Sequence, residues 1–421
     1  MTGSRHRPSV RWARELLTLV VAALVAAVSA LLAHGFREAG LGALHALSGR
    51  DQPIEAAEHL GPVVTFLVVA VAALAAAVAG HRAALRWGNR LGLTAVAATA
   101  RADAPMPGVR GTLVRGASTW VASASMLSVG RESALLEGGG LLGAQAGRIT
   151  GHRRAIAAAG VTAAFTAAYH APVGALLYVI EHLGVRGRPR GTTCGVIGVV
   201  VSHQLLTRII DVGPLFPSPT AGRVDSLVLA LIVVVPATLA SRTMLAARET
   251  WAVAAADRLP SAVRIGVGAL LTAALVAIVP EAAGNGMEGL RVAADHPTAA
   301  VGAALAVGKL TATTAALAAG VPGGAFSPTM ATAGGTALLT TLALGGLGVD
   351  LPGAAWDAIL PAMVVAVAVG LRAPFTAMIA VPEMAGSYGY VPVAAAVVGL
   401  AVLVDRRLPG APSAAVHDED A

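Results

Sequence analysis

The chain has 421 residues, of which 56% are hydrophobic and 13% charged, and its mean hydropathy is +0.73. Soluble domains carry about 25% charged residues, so this composition argues for a chain immersed in a bilayer, not a string of soluble domains. The net charge of +7 does not signal nucleic acid, because aromatics are only 4% and no basic stripe is interleaved with them; the single cysteine, Cys194, excludes a disulfide scaffold.

In chain order, Arg5, Arg7, Arg11 and Arg14 precede a first apolar run from Leu16 to Ala33. The run is too long for the apolar core of a secretory signal, so it predicts a retained span with residues 1–14 as a cytoplasmic segment. Further runs follow at Val63 to Ala79, Val196 to Leu206, Leu227 to Ala240, Ile265 to Val279 and Ala299 to Leu317, and the spanning region is expected to cover residues 15–404. Some approach the ~20 residues that cross ~30 Å of hydrocarbon, while others are short. Short runs broken by Gly and Pro predict half-helices that stop inside the membrane, where protein packs around their ends.

Arginines cluster in alternate connections: Arg82, Arg86 and Arg90; Arg186, Arg188 and Arg190; Arg242 and Arg248; Arg406 and Arg407. The connection from Glu38 to Glu58 holds Asp51, Glu55 and Glu58, and that from Glu281 to Asp295 is net acidic. Positive charge stays inside, which predicts both termini in the cytoplasm and residues 405–421 as a short cytoplasmic tail without a regulatory domain. Lys309 is the only lysine.

Two pairs of segments repeat. His170-Ala171-Pro172 with Glu181 matches Arg372-Ala373-Pro374 with Glu383, since 372 minus 170 and 383 minus 181 both give 202. Gly130-Arg131-Glu132-Ser133-Ala134 matches Gly324-Ala325-Phe326-Ser327-Pro328 at an offset of 194. These predict an all-α polytopic membrane protein of two inverted halves, about 15–210 and 225–404, with broken half-helices meeting near the bilayer midplane. Helix N-termini there present unpaired N–H groups and a partial positive charge, so the expected substrate is an anion.

Gly130-Arg131-Glu132, then Gly308-Lys309-Leu310-Thr311 with Gly323-Gly324-Ala325-Phe326-Ser327-Pro328, then Glu383-Met384 with Tyr388, resemble three motifs of the CLC family of chloride channels and chloride/proton exchangers, in order and over almost the whole chain. The resemblance implies a homodimer with one pore per subunit, in the inner membrane of a bacterial cell, taking chloride or a similar small anion and, in an exchanger, protons. It implies that Glu132 is a gate, a carboxylate that competes with chloride while ionised and swings away when protonated; a plain helix cap is the alternative. The amides of Ala325 and Phe326 and the Tyr388 hydroxyl would hold the central anion, with Arg131, Ser133 and Ser327 among the anion-binding groups. Tyr388 also fits an interfacial belt, and Arg131 also fits a tie between the gate helix and its surroundings.

Lys309 is read as either a long-range attractor or a snorkelling charge, and Glu181 and Glu383 as buried structural acids satisfied by helix N-termini. Where the exchangers carry a second, internal glutamate this chain has His182, a candidate proton relay or a local hydrogen-bonding residue. The family's serine loop has no good counterpart, and Leu91 stands where its serine belongs. No cofactor, metal site or catalytic residue is expected. His81, His170, His182 and His203 fall in no enzyme motif, which disfavours an intramembrane enzyme; a non-conducting scaffold is the other alternative.

Overall fold

The computed structural model describes residues 8–87, 108–185 and 187–408, and the described chain is helical throughout. In order the helices are α1 Pro8–Ser48, α2 Pro53–Trp87, α3 Val109–Ala124, α4 Glu132–Thr150, α5 Arg153–Tyr169, α6 Pro172–His182, α7 Pro189–Leu205, α8 Arg223–Ala246, α9 Ala252–Arg258, α10 Ser261–Ile278, α11 Met287–Asp295, α12 Ala299–Ala303, α13 Leu310–Ala319, α14 Phe326–Gly346, α15 Ala355–Val365, α16 Pro374–Met384 and α17 Val391–Arg407. Wider π-turns extend α7 through Ile210, join α12 to α13 over Ala304–Lys309, and follow α15 over Ala366–Gly370. The first helix starts inside the segment read as a cytoplasmic lead, at Pro8, whose locked φ suits a first helical turn. The position expected to lack the serine, Leu91, lies outside the described residues.

Six stretches among the described residues are long and apolar enough to cross a bilayer, the first of them, Trp12–Trp87, taking in α1 and α2. Others are half that length: α6 and α16 have 11 residues each, which at about 1.5 Å per residue reach roughly halfway through ~30 Å of hydrocarbon. Small residues face inward and large ones outward. On α1, Ala22, Ala26, Ala30 and Ala33 are buried while Leu24, Leu31 and Leu32 are exposed, because lipid gives leucine no reason to hide and close helix packing rewards small side chains. The tightest crossing pairs Gly139 of α4 with Gly160 of α5; a Cβ on either would collide with the other's carbonyl.

The repeat is physical. Helices α6 and α16 start and stop 202 residues apart, both open on proline, and the equivalent residues His170 and Arg372 both take left-handed backbone at φ 52 and 53. Their acids are exchanged. Glu383 accepts from Val173 N at 3.0 Å and Gly174 N at 2.8 Å in the first turn of α6; Glu181 accepts from Phe375 N at 2.8 Å and Thr376 N at 2.9 Å in the first turn of α16. A residue near the end of each helix reaching the start of the other requires the two to run antiparallel, which is what inverted halves demand. Each carboxylate meets otherwise orphaned N–H groups and a positive helix end, an arrangement that stabilises both partners.

Glu383 is 5% exposed and Glu181 is only half-buried. Glu383→Ala is therefore expected to cost about 3 kcal/mol, since charge-assisted bonds are worth about 1.5–3 kcal/mol and one buried and one part-buried donor are stranded. Glu181→Ala should cost less, because water reaches its partners; thermal unfolding of both variants in detergent gives the comparison.

Candidate functional site

The second repeated pair, the starts of α4 and α14, meets at the centre of the molecule. Gly130 and Gly324 exchange two backbone bonds, N to O in each direction at 2.7 Å, as an isolated antiparallel bridge. This clamp sets the two helix N-termini, Glu132 and Phe326, side by side. Only glycine fits at 130: a Cβ there would stand 2.8 Å from the Gly324 carbonyl oxygen and 2.6 Å from Glu132 Oε2. Ser133 packs against Gly324, and Ser327 is wholly buried one residue into α14. The leading N–H groups, those of Glu132 and Ser133 and of Phe326 and Ser327, precede any acceptor within their own helices, and Pro328 gives up its own donor where none is needed.

Glu132 folds back over this junction. It is 4% exposed, Oε1 accepts from Asn285 Nδ2 at 2.7 Å, and Oε2 is buried with no hydrogen-bond partner among the described residues. A carboxyl group thus occupies the ground between two positive helix ends, one oxygen fastened and one idle. Arg131 is half-buried beside it and lines an outer cleft with Arg37, Glu288 and Arg291. Glu288 accepts from Ile54 N at 2.9 Å; burial pushes its carboxyl up to about 7, and the neighbouring Glu55 adds to the rise.

The tyrosine expectation is corrected. Tyr388 is 60% exposed, and its hydroxyl donates to Glu383 Oε1 at 2.6 Å, so it serves the exchanged acid and not the buried junction. The phenol that does stand at the junction is Tyr169, 1% exposed at the end of α5. Its ring lies 4.4 Å from that of Phe326, tilted by 33°, and its hydroxyl is 3.4 Å from Ser327 Oγ. Sequence reading passed over Tyr169; its one signal is its place two residues before the repeated Ala171-Pro172, where the chain enters a half-helix.

From Tyr169 an aromatic column runs through Phe165 at 4.8 Å and Tyr178 at 5.1 Å to the His182 ring, 4.6 Å beyond Tyr178 at the end of α6. Lys309 needs correction too. It does not snorkel: it is 0% exposed, and Nζ donates to Ala282 O at 2.8 Å, to Ala283 O at 3.2 Å and to Gly284 O. Its ammonium is spent on the loop that carries Asn285.

The family described as voltage gated chloride channel matches residues 86–406. A ClcB-like chloride channel protein of Ralstonia nicotianae is 28% identical over 390 residues, covering 88% of this chain and 89% of that one. Among solved structures, a slow cyanobacterial Cl−/H+ antiporter superposes with a TM-score of 0.75 at 18% identity, covering 93% of this chain and 94% of that chain. A CLC-type fluoride/proton antiporter follows at 0.70 and 18% identity, over 95% and 96%. These similarities carry the fold, and the family match carries kinship: this chain belongs to the voltage-gated chloride channel family.

Proposed function

We propose that the protein moves chloride or a similar small anion across a membrane through one pore per subunit of a homodimer, with the ionised Glu132 carboxylate as the competitor that must leave for an anion to enter. The observation that carries this reading is the Glu132 carboxylate folded over two clamped helix N-termini, with Oε2 idle. Backbone amides at Ala325 and Phe326, with Ser133 and Ser327 beside them, offer donors to an anion in its place. Protonation removes the charge that these helix ends attract, so the side chain gives way. Both termini on the cytoplasmic side of a bacterial inner membrane agree with the arginine distribution.

The Tyr169 hydroxyl takes the part of a side-chain donor at the central anion. Tyr169→Phe keeps the ring packed on Phe326 and deletes only the hydroxyl; chloride affinity by titration calorimetry should fall about tenfold, the worth of about 1.4 kcal/mol for one hydrogen bond to a charge.

Purified protein in liposomes is expected to dissipate a chloride gradient when valinomycin clamps the potential. Absence of anion flux from correctly folded protein would instead support a non-conducting scaffold. Proton coupling is the second reading, favoured by the column of Tyr169, Phe165 and Tyr178 that leads from His182 to the junction. Chloride and proton electrodes read together decide it: uphill proton movement under a chloride gradient marks an exchanger, and none marks a channel.

A further inference from the structure

The contact that fastens Glu132 comes from outside both clamped helices. Asn285 sits in the loop before α11, in the sequence Gly284-Asn285-Gly286, and its amide is the only donor to the Glu132 carboxylate among the described residues. Its own orientation is set twice. Asn285 Oδ1 accepts from Met287 N at 3.2 Å, which fixes which end of the amide faces Glu132. Lys309 Nζ gathers the three carbonyls just ahead of it, those of Ala282, Ala283 and Gly284, and Gly284 N donates to Met126 O at 2.9 Å. Gly284 and Gly286 hold left-handed φ of 64 and 96, with Pro53 packed against the first and Ala331 against the second. A loop tied at so many points presents one amide N–H to one carboxylate oxygen.

We propose that Asn285 is a positioning residue for the gate, holding the ionised Glu132 in its anion-competing conformation, with Lys309 fixing the loop from which it acts. The proposal rests on the reading of Glu132 as the gate. An amide N–H stabilises a carboxylate and does nothing comparable for its protonated form. Proton arrival at the idle Oε2 leaves the Asn285 bond weakened and the side chain free to turn toward the outer cleft. The charged and titratable groups around Glu132 are Arg131 on its own turn, Arg37 of α1, Tyr169 of α5, Lys309 of the π-turn, and Glu288 and Arg291 of α11. Glu288, whose carboxyl burial pushes up toward neutral pH, is controlled for by its own substitution.

The test is chloride flux against external pH in liposomes. Asn285→Ser keeps an oxygen for Met287 N yet is too short to reach Glu132, and Asn285→Leu keeps the shape without the donor, so a folding failure of one leaves the other. Both are expected to move the pH of half-maximal flux upward by about one unit, which raises flux about tenfold well above the midpoint. The same shift should appear with Glu288 intact and with Glu288→Gln. In a Glu132→Gln background neither Asn285 variant should change anything. If Glu132→Gln, combined with Glu288→Gln, keeps a pH response, the gate reading itself is wrong and the proposal goes with it. If that response is lost while Asn285→Ser and Asn285→Leu leave the wild-type midpoint in place, the gate stands and Asn285 is overturned.

Discussion

Glu132→Gln should abolish the fall of chloride flux with rising pH. In the wild type the unprotonated competitor gains tenfold over the protonated form with each pH unit, so flux well above the midpoint is expected to drop by up to about tenfold per unit. The amide has the carboxylate's size without its charge, and the clamped N-termini of α4 and α14 no longer prefer it to an anion. Flux in the variant should equal the acid-limit flux of the wild type at every pH. A residual slope that vanishes in Glu132→Gln/Glu288→Gln is assigned to Glu288, whose carboxyl burial pushes up to about 7. In an exchanger, proton movement ends while chloride still passes. A single variant with the full wild-type slope would return Glu132 to the role of a helix cap.

Lys309→Met should be the most destabilising of the substitutions considered. The side chain is wholly buried and its ammonium holds three carbonyls, those of Ala282, Ala283 and Gly284. Methionine matches the length and strands the acceptors, at about 1–3 kcal/mol for each buried group left unsatisfied, so the total expected is about 4 kcal/mol after partial relaxation. Relaxation is limited because Gly284 lies against Pro53 and Gly286 against Ala331. Thermal unfolding in detergent measures the loss, and an unchanged midpoint would mean that the loop stands without the lysine.

The pseudo-symmetric frame was legible in the chain because the exchanged bonds need a particular residue at a particular offset: a Pro-headed helix start in one half and an acid near the end of its counterpart. Glycine at 130 and 324 was legible as part of the same repeat, and at 130 the close approach of the Gly324 carbonyl leaves no room for a Cβ. Side-chain direction was not legible. Tyr388 stands five residues after Glu383, and nothing in that spacing tells that its hydroxyl turns back to the acid and not inward to Phe326. Lys309 ends a π-turn, whose extra residue per turn rotates it out of the register an ordinary helix would give, and the sequence carries no mark of that turn. Tyr169 and Asn285 reach the centre through contacts 158 and 153 residues away in sequence, to Ser327 and Glu132.

The exchanged acids also limit how the protein can move. Because Glu181 and Glu383 each cap a helix of the opposite half, rocking the halves apart would strand two carboxylates and two helix starts at once. For the buried Glu383 that penalty runs to several kcal/mol, and the half-exposed Glu181 adds less. A rigid-body swing of one half against the other is therefore the costly route, and the proposed opening at Glu132 is expected to proceed by local side-chain movement instead.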